Sequence, residues 1–494
     1  MTLRFSIELV EQFAAASRDL NPLHMSGGYA RTTPFGNRVA HGACAVLASC
    51  GLFTPPPGCI PSALGVVFYQ PLFPDVDYDA RVSQISPERT VVSLMDGSAK
   101  VTGATFDFLP GAPPLVRLPR ESAAPLTAAR VMSAEDLGGA WESAGRYSPS
   151  AASYNAFLER AGVLRSAWGD ALPVALMASS YLTGMELPGE SAMYFKLAAE
   201  FPGGAFELPS EFQHQLTSYD PRWGMAKSRF RLFCGDSEWA SGEMQAFLRP
   251  PRVGISAIAG AVSPEMASRF AGKVAIVVGA SRGFGSSLAL TLAAAGATVI
   301  ALYARSSEDA ERLRAAAEGL PGRVIPIQCD ASDPAACSEI RQQALTQYGH
   351  VDWLICSAVT SLHALRIEPA AFERIEGFTR QGLALVLAPL TVFLDLLSES
   401  GGSVLVVSSQ AVEDPPSVWP HYVALKCAVE GLTRVAAREY PKVSFCIARP
   451  AKLLTDLVNT PMGRSKAESS ASAAARILSE AATASRPGEV CYVK

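Results

Sequence analysis

The hydrophobic pattern of the chain changes about halfway along its length. In the C-terminal part, short continuous apolar runs such as Val274–Val278 and Thr298–Tyr303 alternate with longer Ala- and Leu-rich stretches. Continuous apolar runs are typical of parallel strands buried on both faces, and the stretches between them have the length of helices. The pattern therefore predicts a Rossmann-type, doubly wound α/β sheet. Further strands are expected at residues 324–329, 351–358, 403–409 and 443–448.

The N-terminal half shows short stretches in which apolar and polar residues alternate. They follow an apolar stretch at residues 43–53, which is interpreted as a buried helix. Alternation predicts half-buried antiparallel strands that curve around this helix. A similar order, with an apolar helix from 176, a Pro-Gly turn and then strands, follows a Pro/Ala/Arg-rich segment at 118–127. The pattern therefore predicts two related α+β units.

These observations divide the chain into four parts. A length of 494 residues is too great for one ordinary domain. We predict a first α+β unit at residues 1–120, a second and degenerate one at 121–252, a linker at 253–271 and the α/β domain at 272–494.

Composition and charge exclude several classes of protein. The net charge of −4 argues against a nucleic-acid partner. The longest apolar run, at 383–394, is too short to span a bilayer, and the N-terminus lacks the apolar core of a secretory signal. The ten cysteines form no CxxC pair, so reduced core cysteines and no metal site are expected. These features predict a cytoplasmic protein without a membrane partner.

A glycine-rich loop joins the first predicted α/β strand to its helix. Gly279, Gly283 and Gly285 allow a tight turn, close approach to a pyrophosphate and a helix N-terminus directed at it. The GxxxGxG spacing resembles that of the short-chain dehydrogenase/reductase family. This resemblance implies a nicotinamide cofactor bound along the loop. The implied contacts in this loop are Gly279, Ser281, Arg282, Gly283, Phe284 and Gly285.

Two basic residues decide which cofactor is expected. Arg282 lies in the glycine loop, and Arg305 follows the second strand, where an acidic residue would bind a free ribose hydroxyl. Two guanidinium groups suit a 2′-phosphate by charge and geometry, so NADPH (NADP⁺) is predicted. By resemblance, Asp330 contacts the adenine, and Ala358, Pro450 and Thr455 lie beside the cofactor.

The predicted reductase chemistry rests on Ser409, Tyr422 and Lys426. Tyr422 and Lys426 are four residues apart and share one face of a helix, and an ammonium beside a phenol favours the phenolate. By resemblance, Tyr422 protonates a carbonyl oxygen, Ser409 orients it and Lys426 also holds the cofactor ribose. Two departures are visible. Residues 356–359 read Cys-Ser-Ala-Val instead of Asn-Asn-Ala-Gly, and Gln381 occupies the expected position of a relay asparagine.

A second motif lies near the N-terminus. Asp19 and His24 flank an Asn-Pro turn, and Gly42, at the start of the predicted helix, offers a bare backbone N–H of the kind that an oxyanion needs. The pattern FxxxSxDxNPxHxD followed by FGxxxAHG resembles the MaoC-like, or (R)-specific enoyl hydratase, branch of the hotdog fold. The matching positions are Phe13, Ser17, Asp19, Asn21, Pro22, His24, Phe35, Gly36, Ala40, His41 and Gly42. Arg18 and Ser26 depart from the pattern.

By this resemblance, Asp19 and His24 are an acid/base pair and the Gly42 N–H polarises a thioester carbonyl. The first two units then form a double hotdog with one active half. Removing a proton next to a thioester requires such a base, an oxyanion donor and an acid for the leaving hydroxyl.

Together the two motifs predict a bifunctional ketoreductase–dehydratase of fatty-acid or polyketide biosynthesis. It would convert 3-oxoacyl thioesters, on acyl carrier protein or CoA, through 3-hydroxyacyl to trans-2-enoyl thioesters. One alternative is the reverse pair of reactions, in fatty-acid breakdown with NAD. Another is a scaffold that binds acyl chains or carrier protein with a silent site. Both resemblances imply a homo-oligomer, with a dimer expected.

Overall fold

The computed structural model describes residues 1–203, 206–255, 262–484 and 486–494. It divides into two compact units. The first comprises Met1–Pro251 with Thr460–Met462, and the second comprises Arg252–Asn459 with Gly463–Lys494.

The first unit combines seven helices with one large sheet in its described part. The helices are α1 (Ile7–Ser17), α2 (Pro22–Met25), α3 (Gly27–Arg31), α4 (Gly42–Cys50), α5 (Ala151–Arg160), α6 (Arg165–Trp168) and α7 (Ala171–Tyr181). A 3₁₀ turn spans Asp136–Gly138, and α7 continues into a π-helical turn, Leu182–Glu186. The strands are β1 (Thr2–Arg4), β2 (Cys59–Phe68), β3 (Asp77–Ser86), β4 (Arg89–Asp96), β5 (Ala99–Pro110), β6 (Glu142–Tyr147), β7 (Ala192–Glu200), β8 (Ser210–Asp220), β9 (Met225–Cys234) and β10 (Ser237–Leu248).

The ten strands form a single antiparallel sheet in the order β1-β3-β4-β5-β2-β7-β10-β9-β8-β6. The two halves of the unit meet where β2 pairs with β7, from Ala63↔Glu200 to Val67↔Lys196. Helices α4 and α7 are apolar on all sides and lie in one shared core, as expected of fully buried helices. The predicted double α+β hotdog is confirmed.

The second unit has a parallel sheet. Its helices are α8 (Pro264–Phe270), α9 (Gly283–Ala294), α10 (Ser307–Ala316), α11 (Pro334–Tyr348), α12 (Phe372–Ser400), α13 (Pro420–Glu439), α14 (Pro461–Arg464, partly in the first unit) and α15 (Ser470–Ala484). Short 3₁₀ turns span Pro369–Ala371, Gln410–Val412 and Asp456–Val458. The strands are β11 (Val274–Val278), β12 (Thr298–Tyr303), β13 (Arg323–Gln328), β14 (Trp353–Cys356), β15 (Ser403–Val407), β16 (Ser444–Ala448), β17 (Leu453–Leu454), β18 (Glu468–Ser469) and β19 (Val490–Val493).

Seven of these strands pair in parallel in the order β13-β12-β11-β14-β15-β16-β19. The chain runs outward from β11 in one direction and from β14 in the other, so the direction of winding switches between these two neighbours. Ligands of doubly wound sheets bind at the carboxyl ends of the strands at this point. The predicted α/β fold is confirmed.

The segment predicted as a linker differs from the prediction. Its described C-terminal part contains α8, and Phe270 at the end of α8 is fully buried with its ring 5.4 Å from that of Trp353. The helix is too short and too weakly patterned to be recognised from sequence. Residues 262–271 therefore belong to the second unit, whereas residues 256–261 of the predicted linker lie outside the described residues.

One helical segment in the described part of the chain, Pro369–Ser400, is long and apolar enough to cross a membrane by length and composition alone. Half of its most apolar 18-residue stretch is buried. Phe393 and Leu397 pack in the same core as Leu354 of β14. These contacts are those of a core helix that covers one face of the sheet.

Candidate active sites

Asp19 occupies a buried position just after α1. The helix ends at Ser17, and Arg18 adopts the left-handed conformation (φ 62°) that turns the chain inward. The Asp19 carboxylate accepts hydrogen bonds from the Ser180 hydroxyl at 2.7 Å and from the Asn21 backbone N–H at 3.3 Å. Burial raises the pKa of Asp19 to about 7, and these two donors oppose the rise. The carboxyl group can therefore gain or lose a proton near neutral pH.

Asn21 fixes the turn between Asp19 and His24. Its side-chain oxygen accepts from the Leu23 N–H at 3.0 Å and caps α2. Its amide nitrogen donates to the carbonyl oxygens of Gly184 and Gly189, at 2.9 and 3.0 Å. The turn is therefore fastened to the second half of the unit.

His24 and His41 stack with their ring centroids 3.7 Å apart. His24 Nδ1 lies 2.6 Å from the carbonyl oxygen of Val39. A carbonyl only accepts, so Nδ1 carries the proton and Nε2 has a free lone pair. Burial lowers the pKa of His24 to about 4, which keeps the ring neutral at pH 7.

His41 is a site residue to which the sequence analysis assigned no role. Its Nε2 donates to the backbone oxygen of Asp19 at 3.0 Å and lies 3.8 Å from the Asp19 carboxylate. Burial lowers the pKa of His41 well below its ordinary value. Its neutral ring therefore contacts both Asp19 and His24. One nitrogen or carboxylate oxygen from each of the three side chains lies within 4.8 Å of those of the other two.

Asp19, His24 and Gly42, the three predicted residues, line one cavity of about 220 Å³. Gly42 begins α4, and no side chain caps the helix. A Cβ at this position would lie 2.6 Å from the ring of Phe68, so a side chain here would have to displace that ring. The second half of the unit contributes further lining residues: Ser180, Thr183, Gly184, Ala192, Met193, Tyr194, Phe195 and Phe247. The cavity is mostly apolar, and Asp19 and His24 are its acid/base groups.

The glycine loop of the second unit has the predicted geometry. Gly279 has φ +80°, and a Cβ there would lie 2.7 Å from the Ala358 backbone. A Cβ on Gly285 would overlap the carbonyl oxygen of Gly279. Gly283 has φ +58° and begins α9, whose first N–H groups receive no side-chain cap. Ser281 and Phe284 are buried within the loop, and the uncapped N–H groups at the start of α9 suit a pyrophosphate.

The residues predicted near the adenine end also converge. Asp330, after β13, accepts from the N–H and hydroxyl of Ser332 at 3.0 and 2.7 Å. These hydrogen bonds, with a smaller contribution from the charge of Arg305, lower the pKa of Asp330. Arg305 after β12 is therefore within electrostatic range of Asp330. Arg282 lies within electrostatic range of Asp456, where its charge opposes the rise in pKa that burial imposes on that carboxyl.

Ser409, Tyr422 and Lys426 form a compact group where β15 ends and α13 begins. Lys426 Nζ lies 5.5 Å from the centroid of the Tyr422 ring and donates to the Val407 carbonyl at 2.7 Å. Burial lowers the pKa of Lys426 to about 8. Burial raises the pKa of Tyr422, and a hydrogen bond with the Ser409 hydroxyl opposes that rise. The Tyr422 phenol therefore holds its proton beside a basic amine.

A buried ion pair missed by the sequence analysis supports this group. Glu430, one turn after Lys426, accepts from Arg449 Nε and Nη2 at 2.8 and 2.6 Å and from the Ser408 hydroxyl at 2.6 Å. The two-pronged contact ties α13 to the ends of β15 and β16. It fixes the strand end from which Ser409 projects.

The loop after β16 lies over the glycine loop. The nearest atoms to a Cβ built on Gly283 are those of the Thr455 side chain, at 3.6 Å. The Pro450 carbonyl accepts from the Gln410 N–H at 3.1 Å, next to Ser409. Pro450 and Thr455 therefore flank the same crevice as the glycine loop and Ser409.

The structure corrects the prediction for Gln381 and describes Cys356. Gln381 is exposed on α12, whereas the next residue, Gly382, faces α13, and a Cβ there would overlap Leu425. One residue rotates a helix by about 100°, so the buried face carries Gly382 and no relay side chain. Cys356 is 2% exposed, and burial raises the pKa of its thiol to about 12. It is a core residue of β14.

Comparisons with known proteins identify both parts of the chain. A family model described as a MaoC like domain matches residues 3–74, and one described as short chain dehydrogenase matches residues 273–468. A fatty acyl-CoA reductase of Acinetobacter baylyi is 33% identical over 195 residues, which are 39% of this chain and 64% of that protein. A 3-oxoacyl-(acyl-carrier-protein) reductase, FabG, of Thermotoga maritima is 30% identical over 35% of this chain and 69% of its own length.

Among solved structures, a short chain dehydrogenase from Burkholderia cenocepacia in complex with NADP is 25% identical. It covers 46% of this chain and 98% of its own, with a TM-score of 0.42. The chain spans less than two thirds of the length of the fatty acyl-CoA reductase that it matches. Both resemblances seen in the sequence are confirmed: the chain belongs to the short-chain dehydrogenase/reductase family through its second unit and carries a MaoC-like domain at its N-terminus.

Proposed function

We propose that this protein is a bifunctional ketoreductase–dehydratase that acts on 3-oxoacyl thioesters. One observation carries the proposal: a single chain holds two sets of proton-transfer groups, whose chemistries act on neighbouring carbons of one acyl chain. Ser409, Tyr422 and Lys426 suit reduction of a carbonyl at C3. Asp19, His24 and Gly42 suit removal of water across C2 and C3. The product of the first reaction is the substrate of the second.

In the reductase site, Tyr422 gives its phenolic proton to the carbonyl oxygen of the substrate. Lys426 stabilises the resulting phenolate, and the Ser409 hydroxyl orients the carbonyl. A nicotinamide cofactor bound in this crevice would supply the hydride. Gly279, Gly283 and Gly285 fit its pyrophosphate because side chains at Gly279 and Gly285 would fill the loop. Arg305, which follows β12 within electrostatic range of Asp330, supports NADPH over NADH.

In the hydratase site, the thioester carbonyl accepts a hydrogen bond from the Gly42 N–H at the start of α4. His24 Nε2 removes a proton from C2, and the electron pair of that C–H bond forms the C2=C3 double bond. The C3–O bond breaks as protonated Asp19 gives its proton to the leaving hydroxyl, which departs as water. The hydration reaction is the same path reversed, with one proton shared between the two groups throughout.

The names of two relatives support an acyl thioester substrate. One is a fatty acyl-CoA reductase and one is a 3-oxoacyl-(acyl-carrier-protein) reductase. We propose the reductive, biosynthetic direction because the arginines favour NADPH.

A second candidate function follows from Gly382. This position offers no side chain to a proton relay behind Lys426, and residues 356–359 depart from the usual family sequence. Both features favour a chain whose reductase unit binds cofactor without turnover and whose N-terminal unit is the only enzyme.

Two assays test the proposal. Wild type should hydrate a short trans-2-enoyl thioester, and the reaction is monitored by the loss of the ultraviolet absorbance of the enoyl group. Asp19→Asn should not catalyse this reaction. Oxidation of NADPH by a short 3-oxoacyl thioester should occur with wild type and stop in Tyr422→Phe. The matched control is Tyr348→Phe, which removes a phenol at the end of α11. Binding of NADPH without oxidation would establish the second candidate instead.

A further inference from the structure

The outer face of the large sheet carries a groove of about 240 Å³. Its floor consists of small residues on three neighbouring strands, since Gly65 of β2 pairs with Thr105 of β5 on one side and Ala198 of β7 on the other. Its rim includes Lys100, Lys196 and Tyr69. The groove is therefore concave, with a narrow floor and basic edges.

The two lysines are not neutralised by carboxylates in the part of the chain that the structure describes. Lys100 Nζ lies 5.6 Å from the centroid of the Tyr69 ring, and Lys196 is exposed. Glu243, which lies opposite Ala198 in the pairing of β10 with β7, is itself paired with Arg229 at 2.9 Å. The rim thus presents uncompensated positive charge.

The groove adjoins the mouth of the hydratase cavity. Strands β2 and β7 pair as far as Val67↔Lys196, and no further pair joins them beyond this point. The residues that follow Val67 (Phe68 and Tyr69) and those that precede Lys196 (Tyr194 and Phe195) line the hydratase cavity. Tyr69 lines both the cavity and the groove. The cavity and the groove therefore meet at Tyr69, next to the point where the pairing of β2 with β7 ends at Lys196.

We infer that this groove binds the phosphorylated nucleotide end of coenzyme A when an acyl-CoA occupies the hydratase cavity; the inference rests on the function proposed for that cavity. Lys100 and Lys196 contact phosphate oxygens, and the half-exposed ring of Tyr69 packs against the adenine. The size of the groove favours a nucleotide over a folded carrier protein, which would need a broad surface of about 800 Å².

Steady-state hydration by the full-length protein tests this assignment. With crotonyl-CoA, the double variant Lys100→Ala/Lys196→Ala should raise KM roughly tenfold and leave kcat unchanged, since each exposed cation–phosphate contact contributes modestly. With the crotonyl thioester of N-acetylcysteamine, which has no phosphate, KM should not change. The matched control is Lys227→Ala, an exposed lysine on β9 in the same transverse row but outside the groove.

Other results would overturn the assignment. An unchanged KM for crotonyl-CoA, or equal changes in KM with both thioesters, would show that the lysines do not bind the phosphate groups. A loss confined to crotonyl–acyl carrier protein would assign the groove to a carrier protein. If wild type hydrated neither thioester, the proposed function would fail. Calorimetric binding of coenzyme A itself to wild type and the double variant would then still decide whether the groove binds the nucleotide.

Discussion

The hydroxyl of Ser180 donates a 2.7 Å hydrogen bond to the carboxylate of Asp19, although the two residues lie 161 positions apart. Asp19 belongs to the half of the first unit that carries the hydratase motif, and Ser180 lies on α7 of the other half. The half without the motif therefore completes the site of the half that has it. The two halves also share one core and one continuous sheet, which hold Ser180 in place against Asp19.

The protonation of Asp19 and His24 predicts a bell-shaped pH profile for hydration. The reacting pair holds one proton in either direction. Above pH of about 7 Asp19 loses its proton, and below pH of about 4 neutral His24 gains one. We expect kcat/KM for a short enoyl thioester to fall on both sides of this window. A flat profile between pH 5 and 9 would contradict the assignment of Asp19.

Ser180→Ala should shift the alkaline limb of that profile upward. The serine hydroxyl stabilises the ionised carboxylate, so its loss raises the pKa of Asp19, by roughly one unit for a charge-assisted hydrogen bond. Ser49→Ala is the control, since that buried hydroxyl on α4 donates only to Ala45 of its own helix. If the alkaline limb of the pH profile has the same apparent pKa in both variants as in wild type, Ser180 does not act on Asp19.

Gly184→Ala should inactivate the hydratase from within the other half of the unit. A methyl group at this position would overlap the Asp19 carboxylate, which must then move. A shift of about 1 Å in a catalytic group costs roughly 10²-fold in kcat/KM. NADPH oxidation by the reductase unit should be unchanged. Gly138→Ala is the control, because a Cβ there meets no atom within 4 Å. Full hydratase activity in Gly184→Ala would show that the packing around Asp19 is not critical.

Arg305→Ala should weaken the binding of NADPH and leave the binding of NADH unchanged. Arg305 follows β12 within electrostatic range of Asp330, where the 2′-phosphate of the cofactor is expected. Loss of one charged contact should raise the KM for NADPH about tenfold. Arg314→Ala on α10 is the control, since its side chain pairs with Glu311 and Glu318 on the same helix. A similar rise in KM for both cofactors would place Arg305 away from the 2′-phosphate.

Local sequence spacing was sufficient to predict much of both sites. Tyr422 and Lys426 are one helical turn apart, and the glycines of the loop are fixed by steric needs within a few residues. Asp19 and His24 flank a single Asn-Pro turn whose cap is also local. In each case the residues that act together are neighbours along the chain, so their spacing carries the information.

Contacts between distant segments had no comparable signal. Ser180 and Gly184 meet Asp19 only because α7 packs against the first half, and Glu430 meets Arg449 only because α13 crosses the strand ends. The error at Gln381 has another origin, since a shift of one residue along α12 moves a position from the buried face to solvent. Spacing alone does not fix that helical phase.

The most direct test of the account is the mass of the thioester product formed from a short 3-oxoacyl thioester and NADPH. We predict an enoyl product with wild type, accumulation of the 3-hydroxyacyl thioester with Asp19→Asn, and unreacted 3-oxoacyl thioester with Tyr422→Phe. Formation of enoyl product by Tyr422→Phe, or an unchanged 3-oxoacyl thioester with wild type, would contradict two linked active sites in one chain.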